Sequence, residues 1–133
     1  MRQTLDTNIC SYILRRHPAA MIERFANLDR SQVWLSAMVA AELRFGAAKL
    51  ASNRFSAAVE GWLAGFEVRP WPVGASLHYA SIRAALERTG QAIGGMDLSI
   101  AAHALAEDSA LVTNNAREFL RVPGLSVQEW RLD

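Results

Sequence analysis

Short strand-like runs alternate with stretches of helical spacing from one end of this chain to the other, and that alternation limits the fold more than any single residue does. The runs fall at residues 3–5, 33–35, 67–69, 110–113 and 125–128, the third being weak and closed by Pro70 and Pro72. Between them, apolar residues recur at helical intervals. Strands separated by helices cannot pair through tight hairpins. They pair through crossovers, which produces a mainly parallel sheet covered by helices on both faces. The fold class expected is therefore α/β.

Local signals place the helices. Asp6 or Thr7 can cap a first helix carrying Ile9, Tyr12 and Ile13, and Pro18 opens a second with Met21, Ile22, Phe25 and Leu28 on one face. Ser36 is a natural cap for a helix over 37–48. Further helices are expected over 54–65, with Phe55, Val59, Trp62 and Leu63 as its stripe, and over 76–89, with Leu77, Ala80, Ala84 and Leu86. Gly90 ends the latter, and Gly94 and Gly95 break the chain before an Ala-rich helix over 96–107. A short helix follows at 116–120. No repeat, low-complexity tract or linker interrupts the pattern, and 133 residues suit one domain over 1–133.

Composition excludes several classes. At 51% hydrophobic the chain is too apolar for a disordered protein. Cys10 is its only cysteine, which rules out an intrachain disulfide and a Cys-based zinc site and fits a reducing cytoplasm. Polar Arg2, Gln3, Thr4 and Asp6 predict no secretory signal, and no apolar run reaches the ~20 residues needed to span a bilayer. A net charge of +1 points to no partner by itself. Nearly all the basic residues are arginine, with Lys49 the only lysine, and codon bias explains that as well as phosphate binding does.

In an open parallel sheet the ligand crevice lies beyond the carboxyl ends of the strands. Asp6 follows the first strand, Glu42 sits on the helix leaving the second, Thr113, Asn114 and Asn115 follow a late strand, and Asp97 opens the helix that runs into it. Each has a plainer reading. Asp6 is a helix cap, Asp97 a first-turn carboxylate favoured by the helix dipole, and Glu42 lies on a narrow solvated stripe of a helix that is otherwise apolar. Read together, three carboxylates with no cysteine and no HExxH pair suit a hard oxygen-seeking cation.

The segments LDTN at 5–8, SAMVAAELRFGA at 36–47, IGGMDLSIAAHA at 93–104 and VTNNAREF at 112–119 resemble the four motifs of PIN-domain ribonucleases. Their order and spacing, with VPGL at 122–125 and Trp130, are similar to the VapC toxins of bacterial toxin–antitoxin pairs. The resemblance implies a PIN-like fold and a Mg²⁺-dependent endoribonuclease, Mn²⁺ serving as well. It makes Asp6, Glu42 and Asp97 the acidic metal site, with Asn8 and Thr113 holding backbone and carboxylates in place. Many PIN nucleases carry an aspartate where Asn115 stands, and Glu118 is the candidate to complete the set, against its plainer reading as a solvated partner of Arg121. The implied partners are RNA (tRNA among the structured targets), a cognate antitoxin chain and a second copy of the toxin, with DNA reached only through the antitoxin and no membrane. The apolar excess of Ile9, Tyr12, Ile13, Met21, Ile22 and Phe25 on the first two helices predicts a partner groove.

Rival readings fit less well. A phosphatase that begins from a post-strand aspartate needs another two positions on, where Asn8 stands, and a receiver domain needs paired early acids and a late lysine. A catalytically weak PIN domain acting as binding partner or co-repressor rests on Asn115 alone. His17, His78 and His103 are read as structural, and Trp34, Trp62, Trp71 and Trp130 as core. Arg15, Arg16, Arg44, Lys49 and Arg117 either frame an RNA path or form solvated helix faces.

Overall fold

A computed structural model describes residues 1–131. In chain order the elements are β1 (Gln3–Leu5), α1 (Thr7–Leu14), α2 (Ala19–Ala26), a 3₁₀ turn (Arg30–Gln32), β2 (Val33–Ser36), α3 (Ala37–Leu50), α4 (Asn53–Ala64), β3 (Glu67–Arg69), α5 (Val73–Arg88), α6 (Gly95–Ala106), β4 (Ala110–Thr113), α7 (Ala116–Phe119) and β5 (Val127–Glu129). The sheet runs β3-β2-β1-β4-β5, and every neighbouring pair is parallel. The chain steps outward from β1 in one direction and then returns to the other side of it. The crevice expected where strand order reverses therefore lies between β1 and β4. Leu5 pairs with Val112, and the Asp6 N–H continues the ladder to the Val112 carbonyl at 3.0 Å, so the end of β4 is level with the first residue beyond β1.

All of β2 and β4 is buried, as expected of strands covered on both faces. Leu5, Leu35, Val39, Ile100 and Leu111 fill the core, each with at most 1% of its surface exposed. Trp34 is wholly buried, donates its Nε1–H to Ser109 Oγ at 3.0 Å, and packs against the His103 ring at a tilt of 60°.

Three local expectations need correction. Helix α5 starts at Val73, three residues before the expected 76, and its buried line is Ala75, Ile82 and Leu86. Leu77, expected in the packing stripe, is 75% exposed and Ala80 is exposed too, because the contacts follow the phase set by Ala75. Helix α3 runs on to Leu50 before Ala51 turns left-handed at φ 52°. The last strand begins at Val127 because Gly124, at φ +80°, holds the preceding residues in a turn that takes Leu125 out of it.

Candidate active site

Asp6 is the N-cap of α1 and a member of the crevice at once. Its Oδ1 accepts the Ile9 N–H at 2.9 Å, while only 4% of the residue remains exposed. Burial raises its pKa. The Thr113 hydroxyl and the Ile9 N–H oppose that shift, and the Glu42 charge adds to it. The capping reading and the site reading are therefore compatible.

Glu42 is half-buried on α3 and accepts a hydrogen bond from the Thr7 hydroxyl. Asp97 is half-buried in the first turn of α6. Its pKa is pushed up to about 7, first by burial, then by a hydrogen bond and charge from Glu118, then by Asp6 and Glu42. Four carboxylates from four separate segments thus act on one another at the carboxyl ends of β1, β2 and β4. Among the described residues, no ion pair links any of the four to a basic side chain.

Glu118 belongs to this cluster through Asp97. Arg121, its alternative partner, instead donates to the carbonyls of Gln91 and Ala92 at 3.3 and 3.2 Å. Asn115 is exposed at the N-cap of α7, where its backbone N–H donates to Thr113 Oγ1 at 2.9 Å and its side chain makes no capping bond. Asn8 is exposed and reaches Asp6 through its backbone N–H. His17 and His78 are exposed on the surface. His103 is fully buried, its Nδ1 2.8 Å from Ser36 Oγ, and burial lowers its pKa.

Sequence reasoning missed two supports. Thr7 holds Glu42, and the only signal was a hydroxyl one residue after Asp6. Ser36 both caps α3 through the Met38 N–H and meets His103 across 67 residues of sequence, which ties the helix bearing Glu42 to the helix bearing Asp97.

The donor set is entirely hard oxygen, which suits magnesium or manganese over zinc. Among the described residues its charge has no basic partner, the condition a bound cation would relieve. Among the described residues no three acidic, His or Cys side chains already close around one point. The carboxylates approach closely enough to repel but stop short of a finished ligand cage.

The PIN-domain profile matches residues 4–125. The chain is 41% identical over 127 residues to the tRNA(fMet)-specific endonuclease VapC of Salmonella typhimurium, covering 95% of this chain and 96% of that protein. It is 35% identical over 128 residues to Ribonuclease VapC2 of Rickettsia felis, with 95% and 96% coverage. Among solved structures, DNA-bound VapBC from Salmonella typhimurium superposes with a TM-score of 0.89 at 40% identity, covering 98% of each chain. VapBC2 from Rickettsia felis, bound to a promoter DNA fragment, superposes with a TM-score of 0.87 at 33% identity, covering 98% of this chain and 99% of that one. By sequence along nearly its whole length and by fold, the chain belongs to the PIN-domain family, in its VapC branch.

Proposed function

We propose that this protein is a Mg²⁺-dependent endoribonuclease, the toxin of a toxin–antitoxin pair, formed by a single PIN domain over 1–133 of which the last two residues lie outside those described. The observation that carries this reading is the cluster of Asp6, Glu42, Asp97 and Glu118 at the carboxyl end of the sheet, where burial and then the neighbouring carboxylates push the Asp97 pKa up to about 7. Asp6, Glu42 and Asp97 would hold the ion, Mn²⁺ fitting the same donors, and Glu118 adds the charge that Asn115 lacks. When bound, the ion polarises the phosphate and makes a water more acidic. The protein's own contribution is to fix the carboxylates. Ile9 N–H and Thr113 hold Asp6, Thr7 holds Glu42, and Glu118 lies in hydrogen-bond contact with Asp97.

The relatives' names support RNA as substrate, with tRNA as the first target to try. Purified protein should cut tRNA or another RNA in Mg²⁺ and stop in EDTA. Cutting that persists in EDTA would remove the metal from the reading, and no cutting of any RNA in Mg²⁺ would remove the nuclease. A purely co-repressive role would rest on Asn115, but the contact between Glu118 and Asp97 leaves the acidic set complete without it.

A groove of about 390 Å³ between α1, α2 and α4, lined by Ile13, Leu14, Ile22, Phe25, Ala58 and Trp62, fits the apolar face of an antitoxin helix. Ile9, Ile13 and Met21 serve the core, while Tyr12, Ile22 and Phe25 are only half-buried. Solved relatives are VapBC complexes, two of them on DNA, which supports DNA contact through the antitoxin. Ile22→Glu should weaken capture of the co-expressed antitoxin at least ~10-fold, the effect expected of losing a buried interface anchor. RNA cleavage should be unchanged. Tight capture by this variant would place the antitoxin elsewhere. Val73 and Leu77, 87% and 75% exposed on α5, offer a surface for a second copy. No helix among the described residues is long and apolar enough to cross a membrane, and the proposed RNA substrate supports a cytoplasmic location as part of this reading.

A further inference from the structure

A second cleft, of about 460 Å³, begins at Glu42, one of the clustered carboxylates, and runs between α1 and α3, with Leu43 and Leu50 also in its lining. Thr7 and Glu42 form its near end. From there Thr7, Ser11 and Arg15 stand at successive four-residue steps along α1, and Glu42, Gly46 and Lys49 descend α3. At 1.5 Å of rise per residue, both rows carry the cleft about 10–12 Å from the acids to two cations. Arg15 and Lys49 are exposed and, among the described residues, have no carboxylate partner. Phe55 presents an aromatic ring on the wall, and Ser11 offers a hydroxyl between the charges.

We propose that this cleft is the path of the single-stranded RNA segment flanking the cut phosphate, with Arg15 and Lys49 on backbone phosphates and Phe55 stacking against a base. The inference rests on the ribonuclease reading and extends it. Unpaired cations beside an aromatic ring are the ordinary means of holding single-stranded nucleic acid, and a 2′-hydroxyl in reach of Ser11 suits RNA. Continuity with the acids favours the substrate over a protein segment, for which the separate apolar groove is the better seat. The cations at the far end also offset, for an incoming polyanion, the negative charge at the near end.

Gly46 supplies a test that leaves charge untouched. A Cβ built there meets nothing within 4 Å, so a larger side chain projects into the cleft without displacing the core. Binding of a fluorescent single-stranded oligoribonucleotide would be followed by anisotropy over a series of salt concentrations, using Asp97→Asn protein in Mg²⁺ to keep the RNA intact. The double variant R15A/K49A should lower the slope of log affinity against log salt by about 1.4, two phosphate contacts at roughly 0.7 each on a single strand. Gly46→Phe should weaken binding ~10-fold or more, on the order of losing a stacked base. The control Arg88→Ala, on exposed α5, should change neither. With Asp97 restored, R15A/K49A should raise KM for RNA and leave kcat near the parent's. Unaltered slope and KM in R15A/K49A would show that the cleft serves some other occupant, such as a protein segment, and would overturn the proposal. Because both residues lie on the surface, that variant decides the matter even if Gly46→Phe fails to fold. If the parent cuts RNA and the variants bind it as the parent does, only the cleft is lost. If the parent neither binds nor cuts RNA, the nuclease reading fails and the cleft fails with it.

Discussion

Asp97→Asn is expected to reduce RNA cleavage roughly 10²–10³-fold, the scale of removing one preorganised electrostatic group from an active site, while the metal-free protein melts no lower than the parent. The substitution keeps the shape and removes a charge. Asp97 makes no capping bond at the start of α6, so the helix loses only a favourable dipole contact. Against that, its pKa stands at about 7 where an ordinary aspartate sits at 3.8, so the ionised form is disfavoured in the folded chain. A raised acid gives its stabilising contribution below its unfolded pKa and loses it as pH rises through the folded one. Without metal, the asparagine variant should therefore melt at or above the parent above pH 7, and the difference should close near pH 4, where both side chains are neutral. Added Mg²⁺ should raise the melting point of the parent more than that of the variant. Paired melting curves and cleavage rates check this. A variant that melts like the parent and cuts at its rate would remove Asp97 from the site.

Competition between protons and metal should make the Mg²⁺ requirement steeply pH-dependent. The ion needs Asp97 ionised, and in its absence Asp97 holds a proton up to about pH 7. Below that pH each unit should weaken apparent affinity by up to ~10-fold, the limit for release of one proton on binding. The Mg²⁺ concentration giving half-maximal cleavage should thus rise about 5-fold from pH 7 to pH 6 and little from pH 9 to pH 8. Glu118→Gln removes the neighbour that raises Asp97 most after burial. It should shift the bend to lower pH and, by losing a carboxylate, lower the affinity reached at high pH. Titrations of cleavage against Mg²⁺ at several pH values test both. A requirement that stays flat between pH 6 and pH 8 would mean that Asp97 does not give up a proton to the ion.

The strands were legible in the sequence because 33–35 and 110–113 are brief apolar runs, while the weaker 3–5 and 67–69 are closed by Asp6 and by Pro70 and Pro72. Runs 3–5, 67–69 and 110–113 match the structure residue for residue, and Ser36 caps α3 as its position implied. The reading failed where local signals competed with contacts made far away. Leu77 and Ala80 have helical spacing, but α5 is phased by Ala75, Ile82 and Leu86 against the core. Leu125 is apolar, yet the left-handed Gly124 keeps it in a turn. In the site, the acids were visible because strand order fixes where strand ends lie. Whether Glu118 faced Asp97 or Arg121 was not visible, since both lie within reach of a short helix. The bond between Ser36 and His103 joins residues whose sequence neighbourhoods contain no trace of each other.

The central place of β1 has a consequence for the order of events during synthesis. Asp6 leaves the ribosome long before the strand it pairs beside, since its N–H is bonded to Val112 and its carboxylate cluster needs Asp97 and Glu118. Domains are made from the amino terminus at a few to tens of residues per second. Every residue lining the proposed antitoxin groove, from Ile13 to Trp62, is therefore translated before any part of α6 exists. The surface on which the inhibitor would dock is complete in sequence while the nuclease is still unfinished. An antitoxin already present can meet the growing toxin before it has a site with which to cut.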